Sequence, residues 1–128
     1  MKLASRIAVA LVAVLHASFF ALEAVFWQTD AVRDAFQMSA EKAADTAVLA
    51  MNQGAYNLAL AVGLVVALVH PSPVAARLLT RFVLVAIIAL SVVGAVTGGA
   101  GILVIQGVPA MIALALTERA NRDPASGN

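Results

Sequence analysis

His16 and Glu23 are the two residues of this chain best suited to acid/base chemistry, and they stand seven apart in an otherwise apolar run. On an α-helix, seven residues return two side chains to within about 20° of one face, yet about 10 Å apart along the axis. The pair therefore cannot hydrogen-bond directly. A side chain from another helix, a water molecule or a ligand must fill the gap. Glu23 in such a place suits a proton donor, that is, a general acid. His16 suits its complement, as a base or a proton relay. A later apolar run supplies candidates for the space between them. Asn52 and Tyr56 are four apart and share one face, while Gln53 and Asn57 share an adjoining face. Gln106 stands alone in the last apolar run. The amides of Asn52, Gln53, Asn57 and Gln106 would orient a polar head group, and the Tyr56 hydroxyl would donate to an oxygen. The expected site thus has Glu23 and His16 as catalytic residues and Asn52, Gln53, Tyr56, Asn57 and Gln106 as ligand-binding residues. The competing reading makes each amide an interhelical hydrogen bond worth about 0.6–2 kcal/mol. Glu23 resists that reading best, because an ionisable residue inside a membrane marks function by default.

Other chemistries are poorly supported. There is no Cys, so no disulfide, thiolate nucleophile or Cys-based metal site is available. His70 is the only other histidine and falls at the opposite end of its run, which disfavours a histidine metal site. No phosphate loop or dinucleotide fingerprint occurs. No metal and no cofactor are expected.

The elements that must carry these residues follow from composition. Of 128 residues, 62% are hydrophobic and 12% charged. A soluble domain of this size could not hide so much apolar surface. The net charge of +1, from 8 basic and 7 acidic residues, leaves no electrostatic footprint for nucleic acid. Crossing a bilayer as a helix takes about 20 apolar residues. Four runs qualify, at about 7–27, 47–70, 78–97 and 102–117. The third requires Arg81 to snorkel from its end, and the fourth is the shortest. The first run also resembles a signal peptide, with Lys2 and Arg6 before an apolar stretch. Its extension through Phe26 and Trp27, and the three runs that follow, favour a retained helix.

Basic residues set the orientation. With the N-terminus inside, the inner segments hold Lys2, Arg6, Arg77, Arg81, Arg119 and Arg122; the outer ones hold only Arg33 and Lys42. Both termini are therefore expected in the cytoplasm. The segment 28–46 is then external, with Trp27 at the outer interface. Within it, Thr29 or Asp30 would cap a short helix carrying Val32, Ala35 and Phe36, and Ser39 would cap a helix continuing into the second span. This segment reads either as a flat lid with Phe36 and Met38 towards lipid or as a solvated connector. His70-Pro71-Ser72-Pro73 ends the second span. Gly98-Gly99-Ala100-Gly101 makes a tight turn, and 121–128 a polar, frayed tail. Gly94 and Gly98 form a G-x-x-x-G spacing that reads as helix packing within the bundle before dimerisation. Pro109 cannot donate to the Ile105 carbonyl, which leaves that acceptor free beside Gln106.

Depth ties the orientation to the site. At about 1.5 Å per residue, Glu23, Asn52, Gln53 and Gln106 all fall about 6–9 Å below the outer ends of their spans. His16, Tyr56 and Asn57 fall deeper, at about 13–16 Å. Polar residues of three helices thus come to matching depths in the outer half of the membrane.

The hexapeptide Asn52-Gln53-Gly54-Ala55-Tyr56-Asn57 carries a family likeness. Together with Leu22-Glu23-x-x-Phe26-Trp27, Ile105-Gln106-Gly107-x-Pro109-Ala110 and His16, it resembles a family of small bacterial integral membrane proteins, domain of unknown function 1304. Ala55 stands where larger apolar residues are usual. The resemblance implies a four-helix membrane protein whose motif includes Glu23, Asn52, Gln53, Tyr56, Asn57 and Gln106. It carries no activity with it.

The expectation is an all-α, four-helix transmembrane bundle forming one domain over 1–128, in a bacterial cytoplasmic membrane. Its partners would be the lipid bilayer, a small lipophilic ligand and a second copy in a homo-oligomer, with no nucleic acid. The function expected first is holding that ligand in the outward polar pocket, with isomerase- or cyclase-type acid/base chemistry. A small transporter, or an accessory structural subunit, is the alternative.

Overall fold

A computed structural model of the chain describes residues 2–122. Every regular element among them is helical. Helix α1 spans Leu3–Phe20 and runs into a π-helical turn, Ala21–Val25. The short α2 spans Asp30–Ala35, α3 Ala40–Val69 and α4 Pro73–Gly98. A second π turn, Leu103–Gly107, leads into α5, Val108–Arg122. Four stretches are long and apolar enough to cross a membrane: Leu3–Val25, Ala40–Val69, Pro73–Thr97 and Leu103–Ala120. The chain thus has the four apolar helices of a multi-pass membrane protein.

The surface agrees with that class. Val48 and Val96 are each 82% exposed, and Leu3, Val69 and Phe82 are almost as open. Contiguous large apolar side chains are rare on the outside of water-soluble monomers, whereas lipid tails accept them.

The helix ends follow local chemistry. Ser39 caps α3 by accepting from Lys42 N at 3.1 Å, as its position suggested. Thr29 stands at the N-cap of α2, but its hydroxyl makes no cap bond; it donates back to Phe26 O at 2.7 Å. Ser72 accepts from Ala75 N, and Pro73 takes the first helical position of α4. Proline fits there because its fixed φ is helical and that N–H has no intrahelical partner anyway. The third span therefore starts a full turn before Leu78. Gly99, at φ 113°, closes α4 in a region that side chains disfavour. Helix α5 continues to Arg122, so the expected tail begins later than Asn121, and 123–128 lie outside the described residues.

The chain forms two compact units. One comprises, among the described residues, 2–13 and 62–122. It buries Leu64, Val83, Leu84, Ile87, Ala110 and Ala113. Its buried hydroxyls bond backwards to their own helices: Thr80 to Ala76 O and Thr117 to Ala113 O, both at 2.8 Å. Such bonds satisfy a hydroxyl within its own helix. Gly94 packs closely on Ile102, within this unit; Gly98 is outside the described side-chain positions. Arg81 pairs with Glu118 of α5 at 3.6 Å, a contact the sequence did not announce. The other unit, 14–61, holds the end of α1, its π turn, α2 and the first part of α3.

Candidate functional site

In the unit 14–61, α1 supplies a stripe of one buried and one half-buried ionisable group. His16 is 1% exposed, and Glu23 is half-buried one stripe position further on. The same face carries Ser5, Val9 and Val12, all buried. Glu23 sits in the middle of the π turn, where Phe26 N reaches back five residues to Ala21 O at 3.0 Å. One residue inserted into a helical turn changes where its side chains aim, and such turns concentrate at functional sites.

Helix α3 comes close against this turn at Gly54. A Cβ there would lie 3.0 Å from the Ala24 Cβ, 3.1 Å from Ala24 N and 3.3 Å from the Glu23 Cβ. No larger side chain fits without movement. One turn below, the Asn57 side chain enters the space between Glu23 and His16. Its Nδ2 donates to Glu23 Oε2 at 2.7 Å, and its Oδ1 accepts from His16 Nδ1 at 2.7 Å. Asn57 is 9% exposed, so both bonds form out of bulk water. An amide oxygen can only accept, so the Nδ1 of His16 carries the proton. The ring's other nitrogen, Nε2, is buried and has no hydrogen-bond partner in the structure. Phe19 packs edge-on to the imidazole, with centroids 5.9 Å apart.

Beside Glu23 the surface opens into a groove of about 280 Å³. Glu23, Val25 and Trp27 form one wall, and Ala47, Val48 and Met51 the other. The Trp27 indole is pinned by donating from Nε1 to Thr46 Oγ1 at 3.0 Å, and Thr46 in turn donates to Lys42 O. The Phe36 ring, just past α2, lies 5.5 Å from the Trp27 ring. Another hollow, about 400 Å³, follows one face of α4 from Leu78 to Ala89 and touches none of the acid/base residues.

The structure brings together three of the seven candidate residues, Glu23, His16 and Asn57. Asn52, Gln53 and Tyr56 are exposed, Tyr56 at 60%, and make no bond to this trio. Glu23, matched in depth to Asn52 and Gln53, is instead held by Asn57. Gln106 belongs to the other compact unit, half-buried in the second π turn. That turn immediately precedes Pro109, and Val108 N bonds to Leu103 O, five residues back. Widened turns of this kind re-pair backbone groups near a proline that cannot donate. Gly107 is the close-packed residue there, where a Cβ would fall 2.5 Å from Ser91 Oγ. Thr46 and Gly54 help to shape the site although the sequence does not mark them as site residues. The indole N–H of Trp27, which seeks an acceptor, and the glycine inside the hexapeptide are the signals that point to them.

A family model described as "Protein of unknown function (DUF1304)" matches residues 10–117, most of the chain. No curated protein and no solved structure matches it.

Proposed function

We propose a function for this chain, which belongs to the DUF1304 family: it holds a small lipophilic molecule in the groove beside Glu23 and works on it as acid and base. The observation that carries this reading is the line Glu23–Asn57–His16, closed by two 2.7 Å hydrogen bonds, whose Glu23 end lines an open apolar groove. Glu23 Oε2 is taken by Asn57, which leaves Oε1 towards a guest. A proton given at one atom of the guest and removed at another is the balance an isomerisation or cyclisation requires. Trp27, Val25, Val48 and Met51 suit an apolar body, and Gln28 at the groove's edge suits a polar end. With both chain ends in the cytoplasm of a bacterial cell, the groove opens in the outer half of the inner membrane. The α2 segment, tied to Trp27 through Phe36, then serves as its lid.

A hydrophobic carbodiimide tests this placement, since it reaches carboxyls from lipid. It should add to Glu23 once per chain and fail on Glu23→Gln. Labelling confined to Asp30, Asp34, Glu41 or Asp45 would contradict the proposal.

The second reading, an accessory subunit with polar groups as helix ties, draws on the same two bonds, because they join α1 to α3. It requires Glu23 to be inaccessible from the groove and no guest to accompany the protein.

A further inference from the structure

We propose that Asn57 is a positioning residue that makes the tautomer of His16 follow the protonation state of Glu23; this rests on the acid/base reading of the same site. The geometry is specific. A single amide bonds both ionisable groups, and it has one donating end and one accepting end. When Glu23 is a carboxylate it can only accept, so the NH₂ of Asn57 must face it. The amide oxygen is then left for His16, which must present N–H at Nδ1. That leaves Nε2 with a bare lone pair, buried and unpartnered, as the structure has it. Nε2 in this state is a base awaiting a donor.

Protonated Glu23 gains an O–H donor, and in the arrangement proposed here that donor reverses each end. The carboxylic O–H donates to the amide oxygen after the amide turns over. The NH₂ now donates to Nδ1, which must accept, so the ring proton resides on Nε2. The site gains one proton overall, on Glu23. The imidazole stays neutral: the proton that leaves Nδ1 is the one Glu23 gains, and the one proton that enters the site arrives from water at Nε2. His16 thus changes from base to acid as Glu23 changes from base to acid, and the same relay serves both halves of a proton-transfer cycle.

The other ionisable groups of the surrounding elements are Arg6 on α1, Asp30, Arg33 and Asp34 on α2, and Glu41, Lys42, Asp45 and Tyr56 on α3. Arg33 is paired with Asp30, and none of the eight bonds to the trio. The coupling therefore runs through Asn57.

The test uses the full chain in lipid nanodiscs, with ¹⁵N-labelled histidine, ¹³C-labelled glutamate carboxyls and His70→Gln to leave one imidazole. His70 accepts from Ser72 N in the α3–α4 turn and bonds to none of the trio. Nitrogen shifts report the His16 tautomer while carboxyl shifts report Glu23. The expected result is a tautomer ratio that inverts at least tenfold, from Nδ1–H to Nε2–H, at the midpoint of the Glu23 titration. In Asn57→Ala the ratio should no longer track Glu23. A wild-type ratio that stays constant through that midpoint overturns the proposal, even if the variant fails to fold. So does an imidazole that becomes doubly protonated before Glu23 takes its proton. If a guest is found bound but the tautomer does not follow Glu23, the coupling fails and the pocket stands; the reverse pair of results removes the pocket and leaves the coupling.

Discussion

Glu23 and His16 share one amide. Neither touches the other, yet Asn57 bonds Oε2 of the first and Nδ1 of the second, each at 2.7 Å. The two groups are therefore neighbours in energy although a helical heptad separates them in space. Removing Asn57 leaves both without their shared partner, and unpaired buried polar groups are costly. Interhelical hydrogen bonds within membranes have measured strengths of about 0.6–2 kcal/mol. Asn57→Ala should lower unfolding stability in detergent by about 1–3 kcal/mol. A double-mutant cycle with His16→Ala should show coupling, and one with Tyr56→Ala should not. Equal additivity in both cycles would mean the bonds carry no weight.

Gly54 is where α3 can least tolerate a side chain. An added Cβ meets Ala24 and the Glu23 Cβ at 3.0–3.3 Å, with backbone among the obstacles. Overpacking of this kind costs about 1–3 kcal/mol. Gly54→Ala should therefore reduce thermal stability and weaken carbodiimide labelling of Glu23. At Gly101 nothing lies within 4 Å of the added atom, so Gly101→Ala should leave both unchanged. A tolerant Gly54 would show that the π turn is not pressed by α3.

Two hydroxyl residues that look alike in sequence should behave differently. Ser39 caps α3 and Thr29 caps nothing. Loss of a cap costs about 1 kcal/mol. Ser39→Ala should speed amide hydrogen exchange over Ala40–Ala43, while Thr29→Ala should leave exchange in α2 within about twofold, since only its bond back to Phe26 O is lost. Equal effects of the two changes would refute this distinction.

Trp27 is the only tryptophan, and it lines the groove. Its emission should be quenched saturably by a brominated medium-chain alcohol. Filling the groove by Val48→Trp in a Trp27→Phe background should remove the saturable component, because the indole then occupies the space of the probe. Quenching of Trp27 that rises linearly with the probe, without saturation, would indicate bulk lipid contact instead of a site.

Most of the helical organisation was legible because lipid demands long apolar runs with internally paired backbones, and those are counted directly in sequence. The site was legible in part. The spacing of His16 and Glu23 required something between them, and the polar set on α3 contained Asn57. Which member would fill the gap was hidden, because periodicity fixes angle and rise but not how closely two helices approach. That approach is set by Gly54 and by the π turn around Glu23, and no residue pattern announces an extra residue in a turn. The early start of α4 is hidden for a simpler reason: Ser72 and Pro73 read as a stop for α3, and they also make a good start for the next helix. The pairing of Arg81 with Glu118 joins residues 37 positions apart, and nothing local encodes it.

Native mass spectrometry of protein released gently from its own membrane tests the central claim most directly. The account predicts a recurring adduct of one small molecule per chain on the wild type, lost or strongly reduced on Glu23→Gln while the variant remains folded. A bare wild-type mass, or an adduct that persists undiminished on the variant, would contradict it.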